Sequence, residues 1–226
     1  MRSRVFYASG RQFVALSGEG DPSLAPGEAT AALLERMAGE LNGLGLSLDN
    51  TVRTRLWGRT RDDRDGGSSE RVKRLSGRAR SASSSYISPA HFDSDAGVAL
   101  DLITLRPSQP GVEKRIVEYD PPIVPLRYLV YDGFVVLSGV TSILSGLPGQ
   151  VSEILGLIDG SLKHAGVSWR QVTEVGACLH RSQPLEALES LLRPRLPFDT
   201  ARIGFSFADG YSTPGKLVEI EVTAQI

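Results

Sequence analysis

One cysteine, four lysines and three histidines in 226 residues leave few routes to several kinds of chemistry. The lone Cys178 excludes an intrachain disulfide, and such sparing use of cysteine suits a reducing compartment. Cys178 sits in the run Val175-Gly176-Ala177-Cys178-Leu179, whose apolar alternation predicts a small buried residue rather than a nucleophile. No run of about 18 apolar residues occurs, and residues 1 to 9 lack the apolar stretch of a signal peptide. The expectation is a soluble, cytoplasmic protein with no membrane partner. His91, His164 and His180 lie far apart without ligand-type spacing, so neither a metal nor another cofactor is expected. The chain also lacks a Gly-x-x-x-x-Gly-Lys-Ser/Thr loop and a Gly-x-Ser-x-Gly elbow. Any chemistry therefore falls to carboxylates, arginines, hydroxyls and backbone.

An excess of either charge sign is missing as well. The formal net charge is −1, so no global field draws the chain to nucleic acid. The densest basic stretch, Arg53 to Arg80, carries ten Arg or Lys, but Asp62, Asp63, Asp65 and Glu70 are interleaved with them. That pattern describes a solvated helix and loop, and no nucleic-acid partner is expected.

What is present is a repeat. Phe13-Val14-Ala15-Leu16-Ser17-Gly18 returns 121 residues later as Phe134-Val135-Val136-Leu137-Ser138-Gly139. At the same offset Leu33, Leu34, Met37 and Leu41 meet Ile154, Leu155, Ile158 and Leu162, and Gly45-Leu46-Ser47 meets Gly166-Val167-Ser168. One offset spanning a strand-like run, a helix-like run and the turn after it marks a tandem duplication. A repeated unit of about 110 residues is the size of a domain rather than of a solenoid repeat. Pro107, Pro110 and Gly111 place the linker at about 109 to 115, giving domains at 1–108 and 116–226.

Periodicity fills in each unit. The first half reads as strands at 4–8 and 11–17 joined through Gly10, then a helix at 27–44 stopped by Gly45. A strand at 51–57 leads to a polar loop at 59–68, a weak helix at 69–76 and strands at 80–87 and 97–104. The second half repeats the order, with strands at 126–131 and 133–138, a helix at 150–165, a strand at 171–179, a helix at 184–192 and strands at 202–207 and 216–224. Strands and helices mix without strict alternation, so the expected class is α+β, with a mixed sheet carrying two helices on one face. The uncovered face asks for a partner, and self-association is the simplest one.

In Leu217-Val218-Glu219-Ile220-Glu221-Val222 the apolar residues share one strand face, and Glu219 and Glu221 share the other. Ala201-Arg202-Ile203-Gly204-Phe205 reads as a neighbouring strand that starts at an arginine. Paired, the two strands line one surface with a guanidinium and a carboxylate. A solvated surface ion pair would leave the same spacing.

An apolar strand ending in Ser-Gly, an amphipathic helix with a Gly-x-Ser turn, then Ala-Arg and a closing Val-Glu-Ile-Glu together resemble the RidA family of reactive-intermediate deaminases. The resemblance spans residues 121 to 224 and, more faintly, 4 to 105. It implies two tandem chorismate-mutase-like domains and trimeric assembly with clefts between domains, hence a homotrimer. It also implies hydrolysis of a small carboxylate-bearing imine or enamine without a cofactor. By position, Arg202 would clamp the carboxylate, Glu219 would hold or activate water, and the backbone at Gly204 would help to hold it. The first half keeps Arg80 in Ala79-Arg80-Ser81, and matching apolar faces sets Asp101 against Glu219. Where the family carries Gly-Pro-Tyr, this chain has Val124-Pro125-Leu126, with Tyr128 the nearby candidate for the missing tyrosine.

An arginine suits a carboxylate because its planar fork binds in bidentate fashion and stays charged. A partly desolvated glutamate is poised for proton transfer. Two alternatives stand beside this reading: a chorismatase-like hydrolase of an enol ether, and a non-catalytic member that binds a metabolite or a partner.

Overall fold

The structure is a computed structural model and describes residues 1–197 and 203–226. The described strands form two sheets. The first unit comprises β1 (Arg2–Ala8), β2 (Arg11–Glu19), α1 (Pro26–Gly43), β3 (Thr51–Gly58), α2 (Arg61–Arg74), β4 (Ala82–Ile87) and β5 (Val98–Leu105). β6 (Arg115–Val117) leads into β7 (Tyr128–Tyr131), β8 (Phe134–Leu137), β9 (Val140–Thr141), α3 (Gly146–His164), β10 (Val172–His180) and α4 (Leu185–Leu192). The chain then ends with β11 (Ile203–Ala208), β12 (Gly210–Tyr211) and β13 (Val218–Gln225). Strand orders are β1-β2-β5-β3-β4-β12 and β11-β10-β13-β8-β7-β6, with β9 beside β13. Both sheets are mixed: β3–β4 and β10–β11 run parallel, and the other pairs are antiparallel. The α+β class and the doubled unit expected from the sequence are therefore present.

Local chemistry accounts for most elements. The hairpin β1–β2 turns on Ser9 and Gly10, and β7–β8 turns on Asp132 and Gly133, each pair at positive φ. That handedness matches the twist of the flanking strands. Helices α1 and α3 stop at Gly45 and Gly166, also at positive φ, where a side chain would be strained. Their apolar stripes cover their own sheets: Leu33, Leu34, Met37 and Leu41 in the first half, and Ile154, Ile158 and Leu162 in the second, are all essentially buried. Each such side chain is worth about 1.5–3 kcal/mol of burial.

Helix α2 departs from expectation, because the predicted polar loop at 59–68 is mostly helical. Thr60 caps the helix by accepting from the Asp63 N–H, while Asp63 Oδ2 takes the Thr60 N–H at 3.0 Å. Gly66 and Gly67 lower its helix propensity, but at Gly67 a Cβ would lie 3.0 Å from Leu56, Thr30 and Val98. The glycine is there for close helix–sheet approach.

The sheet faces expected to lie open for a second copy are instead covered by the other half of the same chain. Phe13, Val52, Ala82 and Leu105 of the first unit pack with Leu129, Tyr131, Phe134 and Val136 of the second. The repeated phenylalanines Phe13 and Phe134 meet edge to face, with ring centroids 5.4 Å apart. At the other end Trp57, Tyr86 and Ala99 meet Cys178, Ala208 and Tyr211. The repeat also fails to divide cleanly in space, since β12 of the later unit joins the earlier sheet through Tyr211↔Tyr86 and Gly210↔Ile87.

Candidate functional site between the sheets

Polar side chains fill the middle of this apolar seam. On β13, Val218, Ile220 and Val222 face the helix-covered core, so strand alternation turns Glu219 and Glu221 toward the first sheet. They are 6% and 3% exposed. Opposite them, β3 presents Arg53, Arg55 and Trp57, and β4 presents Ser84 and Tyr86.

Glu221 is the anchored anion. Its Oε2 accepts from Arg55 Nη2 at 2.6 Å and Nε at 2.8 Å and lies 3.2 Å from Arg53 Nη1. The Ser84 hydroxyl donates to its other oxygen. Burial alone would raise the Glu221 pKa, but the two guanidinium charges outweigh it and bring it down to about 2. Arg55 is correspondingly raised: burial opposes its charge and Glu221 more than compensates. Arg53, 3% exposed, also donates to the Leu137 and Val222 carbonyls at 3.1 Å and to Thr223 Oγ1 at 3.2 Å, which ties the sheets together.

Glu219 is the opposite case. No salt bridge reaches it among the described residues. Its Oε1 accepts from the Tyr86 hydroxyl at 3.1 Å, and that hydroxyl stands 3.5 Å from Glu221 Oε1. Burial raises the Glu219 pKa, the Ser84 hydroxyl offsets part of the rise, and the Glu221 charge adds to it, for a result of about 7. Tyr86 is pushed well above its ordinary range by burial and by both carboxylates, so it donates and does not ionise. Two carboxyls two residues apart thus have their pKa values pushed in opposite directions, the pattern that separates a group able to exchange a proton from a fixed charge.

Two hollows flank the group. One, of about 240 Å³, is lined by Arg55, Trp57, Tyr86, Cys178, Gly204 and Glu221. Gly176 opens it: a Cβ there would sit 3.4 Å from Glu221 Oε2 and 3.5 Å from Arg55 Nη2. The other, of about 210 Å³, lies beside the start of β4, where Arg80, Ser81 and Ser83 meet Val124, Pro125 and Leu126 of the later unit. The Gly139 N–H donates to the Ser83 carbonyl at 3.3 Å, and a Cβ on Gly139 would fall 1.9 Å from Glu219 Oε1. Ser83 lines that cleft and Gly139 packs against both Ser83 and Glu219, while Glu219 itself lines neither hollow.

The residues singled out from sequence are distributed as follows. Glu219 turns away from the helix-covered core, as strand alternation requires. It is buried against the first sheet and borders neither hollow, rather than lining the open cleft beside an arginine that was expected. Gly204 lines the 240 Å³ hollow, and Arg202 lies outside the described residues. Arg80 borders the other cleft, 35% exposed, with its fork on the Glu118 carboxylate, Nη2 to Oε2 at 3.0 Å. Asp101 is not the counterpart of Glu219. Phe13 pairs with Leu105 and Phe134 with Gln225, so register sets Asp101 against Glu221 and Ala99 against Glu219. The other neighbouring strand agrees: Trp57 faces Ala99 and its repeat-mate Cys178 faces Glu219. Matching by apolar alternation alone slips by two residues without changing face, and the hydrogen-bond register removes that ambiguity. Asp101 instead accepts from Ser17 Oγ at 2.6 Å and Trp57 Nε1 at 2.7 Å, away from Arg80. Tyr128 also needs correcting: it is 1% exposed in the helix-side core, on the far face of its sheet, bonded to His164 Nδ1 at 2.7 Å.

Arg53, Arg55, Ser84 and Tyr86 were not singled out. Their signal was readable in part, since the i, i+2 pair Arg53/Arg55 mirrors Glu219/Glu221 on strands each with one buried face. Cys178 is buried as expected, with burial pushing its thiol up to about 12. No group of three metal-ligating side chains occurs among the described residues, and no described helix is long and apolar enough to cross a membrane.

The fold and this seam define a class: a tandem α+β chain with two buried carboxyls held between its halves. Among solved structures, a chorismatase superposes on 97% of this chain and 78% of its own, with a TM-score of 0.66 and 18% identity. Single-unit neighbours match half of the chain. They include a YjgF/YER057c/UK114 family member from Mycobacterium tuberculosis (17% identity, 50% of this chain, 100% of that one, TM-score 0.41) and RidA from an Antarctic Psychrobacter (19%, 50%, 99%, TM-score 0.40). No protein-family model and no curated protein matches the sequence. The established likeness is one of fold, shared with the chorismatase across both units.

Proposed function

We propose that the chain is an acid–base hydrolase of a small carboxylate-bearing imine or enamine, with Glu219 as the proton donor and acceptor. The observation that carries this reading is the Glu219 carboxyl held near neutrality beside an anionic Glu221, both bridged by the Tyr86 hydroxyl. In an enamine, protonated Glu219 adds its proton to the β-carbon and leaves an iminium. Water then attacks the carbon that bears nitrogen and returns a proton to Glu219. The hydroxyl proton of the resulting carbinolamine passes to nitrogen as the C–N bond breaks, ammonia leaves and the carbonyl forms. A contribution of about 10² to 10⁴ in rate is typical of such catalysis and suits a substrate that is already reactive. Arg80 supplies the carboxylate clamp, because its guanidinium borders the cleft and already holds one carboxylate in fork geometry.

A second substrate class follows from the same first step. An enol ether is also hydrolysed after protonation at carbon, and the whole-length likeness to a chorismatase favours including it. Turnover of a panel of carboxylate-bearing imines, enamines and enol ethers tests both. Glu219→Gln is expected to lower kcat about 10² to 10⁴-fold with ligand binding intact, and Arg80→Ala to raise KM for the carboxylate but not for its neutral amide. Equal turnover by wild type and Glu219→Gln would overturn the role of Glu219, and no turnover of any panel member by wild type would leave only a binding role.

A further inference from the structure

Away from the seam, a cavity of about 290 Å³ lies where the connection between the units passes the first sheet, with Lys114, Arg78, Tyr131, Asn50 and Asp49 in its wall. Lys114 differs from the other three lysines. Lys73 Nζ is 3.4 Å from Glu70, Lys163 Nζ is 2.7 Å from Asp159, and Lys216 Nζ donates to Ser212 Oγ at 2.9 Å in the field of Glu219. The Lys114 amine donates to the Thr51 carbonyl at 2.8 Å, and no carboxylate lies within salt-bridge distance of it among the described residues. A lysine on a neutral acceptor in a hollow is closer to a free amine than one beside an acid.

The surroundings select a ligand class. Tyr131 accepts from Asn50 Nδ2 at 2.7 Å, which leaves its own hydroxyl proton free to be donated. Arg78 is largely exposed at the wall and lies 3.7 Å from Asp49, a loose contact from which a bidentate carboxylate could take it. An amine, a hydroxyl donor and a guanidinium in one small hollow fit a carbonyl compound that carries a carboxylate.

We propose that Lys114 is a reactive-amine site that condenses reversibly with small 2-oxo acids. Nζ attacks the carbonyl carbon and forms the C–N bond. The Tyr131 hydroxyl supplies a proton to the carbonyl oxygen and recovers one from nitrogen, giving a carbinolamine. That oxygen then leaves as water with the second nitrogen proton, which yields the imine. Nothing is oxidised or reduced.

Titration supports the geometry. Burial pulls the Lys114 amine down to about 8 against the opposing charge of Asp49. Glu113, Arg78 and Tyr131 complete the titratable groups in the cavity wall.

The test is reductive trapping on the intact chain with pyruvate and cyanoborohydride, followed by peptide mapping. Lys114 is expected to be labelled roughly tenfold or more faster than Lys73 and Lys163 at pH 7.5, because each of those is held by a carboxylate and Lys114 rests on a neutral carbonyl inside the hollow. Labelling of Lys114 no faster than of those two would overturn the proposal. Propanal, which lacks a carboxylate, identifies the ligand class: Arg78→Ala is expected to slow labelling by pyruvate and leave labelling by propanal unchanged. If Arg78→Ala leaves both unchanged, the carboxylate-bearing class is wrong. Wild-type labelling carries the main result, so the proposal does not depend on how a variant folds.

Discussion

Replacing Glu219 by Gln removes one titration from the seam, and the effect can be read without knowing the substrate. A carboxyl raised from 4.5 to about 7 on folding binds its proton more tightly in the folded state. Its contribution to stability is thus fully present below pH 4.5 and is lost as pH climbs through 7. The displacement corresponds to roughly 3 kcal/mol in all, of which about 2 to 3 kcal/mol falls between pH 5 and 8. Glu221 is silent in that window, since its folded value of about 2 and its ordinary value of 4.5 both lie below it. His91, lowered by burial, runs the other way but does so equally in wild type and variant. Urea unfolding of both proteins at several pH values should therefore show the variant gaining on wild type by about 2 to 3 kcal/mol from pH 5 to 8. Curves that stay parallel across the window would refute the assignment of a neutral, buried Glu219.

Two further variants probe the same seam. Glu221→Gln strands Arg53, 3% exposed, without its carboxylate, so unfolding measurements at pH 7 should show a loss of about 3–5 kcal/mol, unlike Glu219→Gln. Gly139→Ala puts a methyl 1.9 Å from Glu219 Oε1, so it should cost about 1–3 kcal/mol and, by displacing that carboxyl, flatten the pH dependence described above.

Much of the scaffold was legible because period and punctuation agreed. The 121-residue offset, the helical stripes and the glycines at 45 and 166 each pointed to elements that exist. The start of α2 was hidden, because Gly66, Gly67 and three aspartates read as loop while one capping box at Thr60 and Asp63 decided otherwise. Glu219 could be picked out because strand alternation fixes the face of a side chain. The groups around Glu219 and Glu221 could not, because Arg53, Arg55, Ser84 and Tyr86 come from the other unit, and a one-dimensional reading pairs residues within a copy rather than across copies. The slip between Asp101 and Ala99 has the same origin, since alternation sets the face but not the register.

The two-residue strand β12 bears on how the molecule is made. The outer edge of β4 is completed by Gly210 and Tyr211, so on the ribosome that edge waits for more than a hundred further residues before its neighbour emerges. Until then an unpaired strand border is open to pairing with other chains. The early copy released alone would keep that open border, which ties its safe folding to synthesis of the late copy.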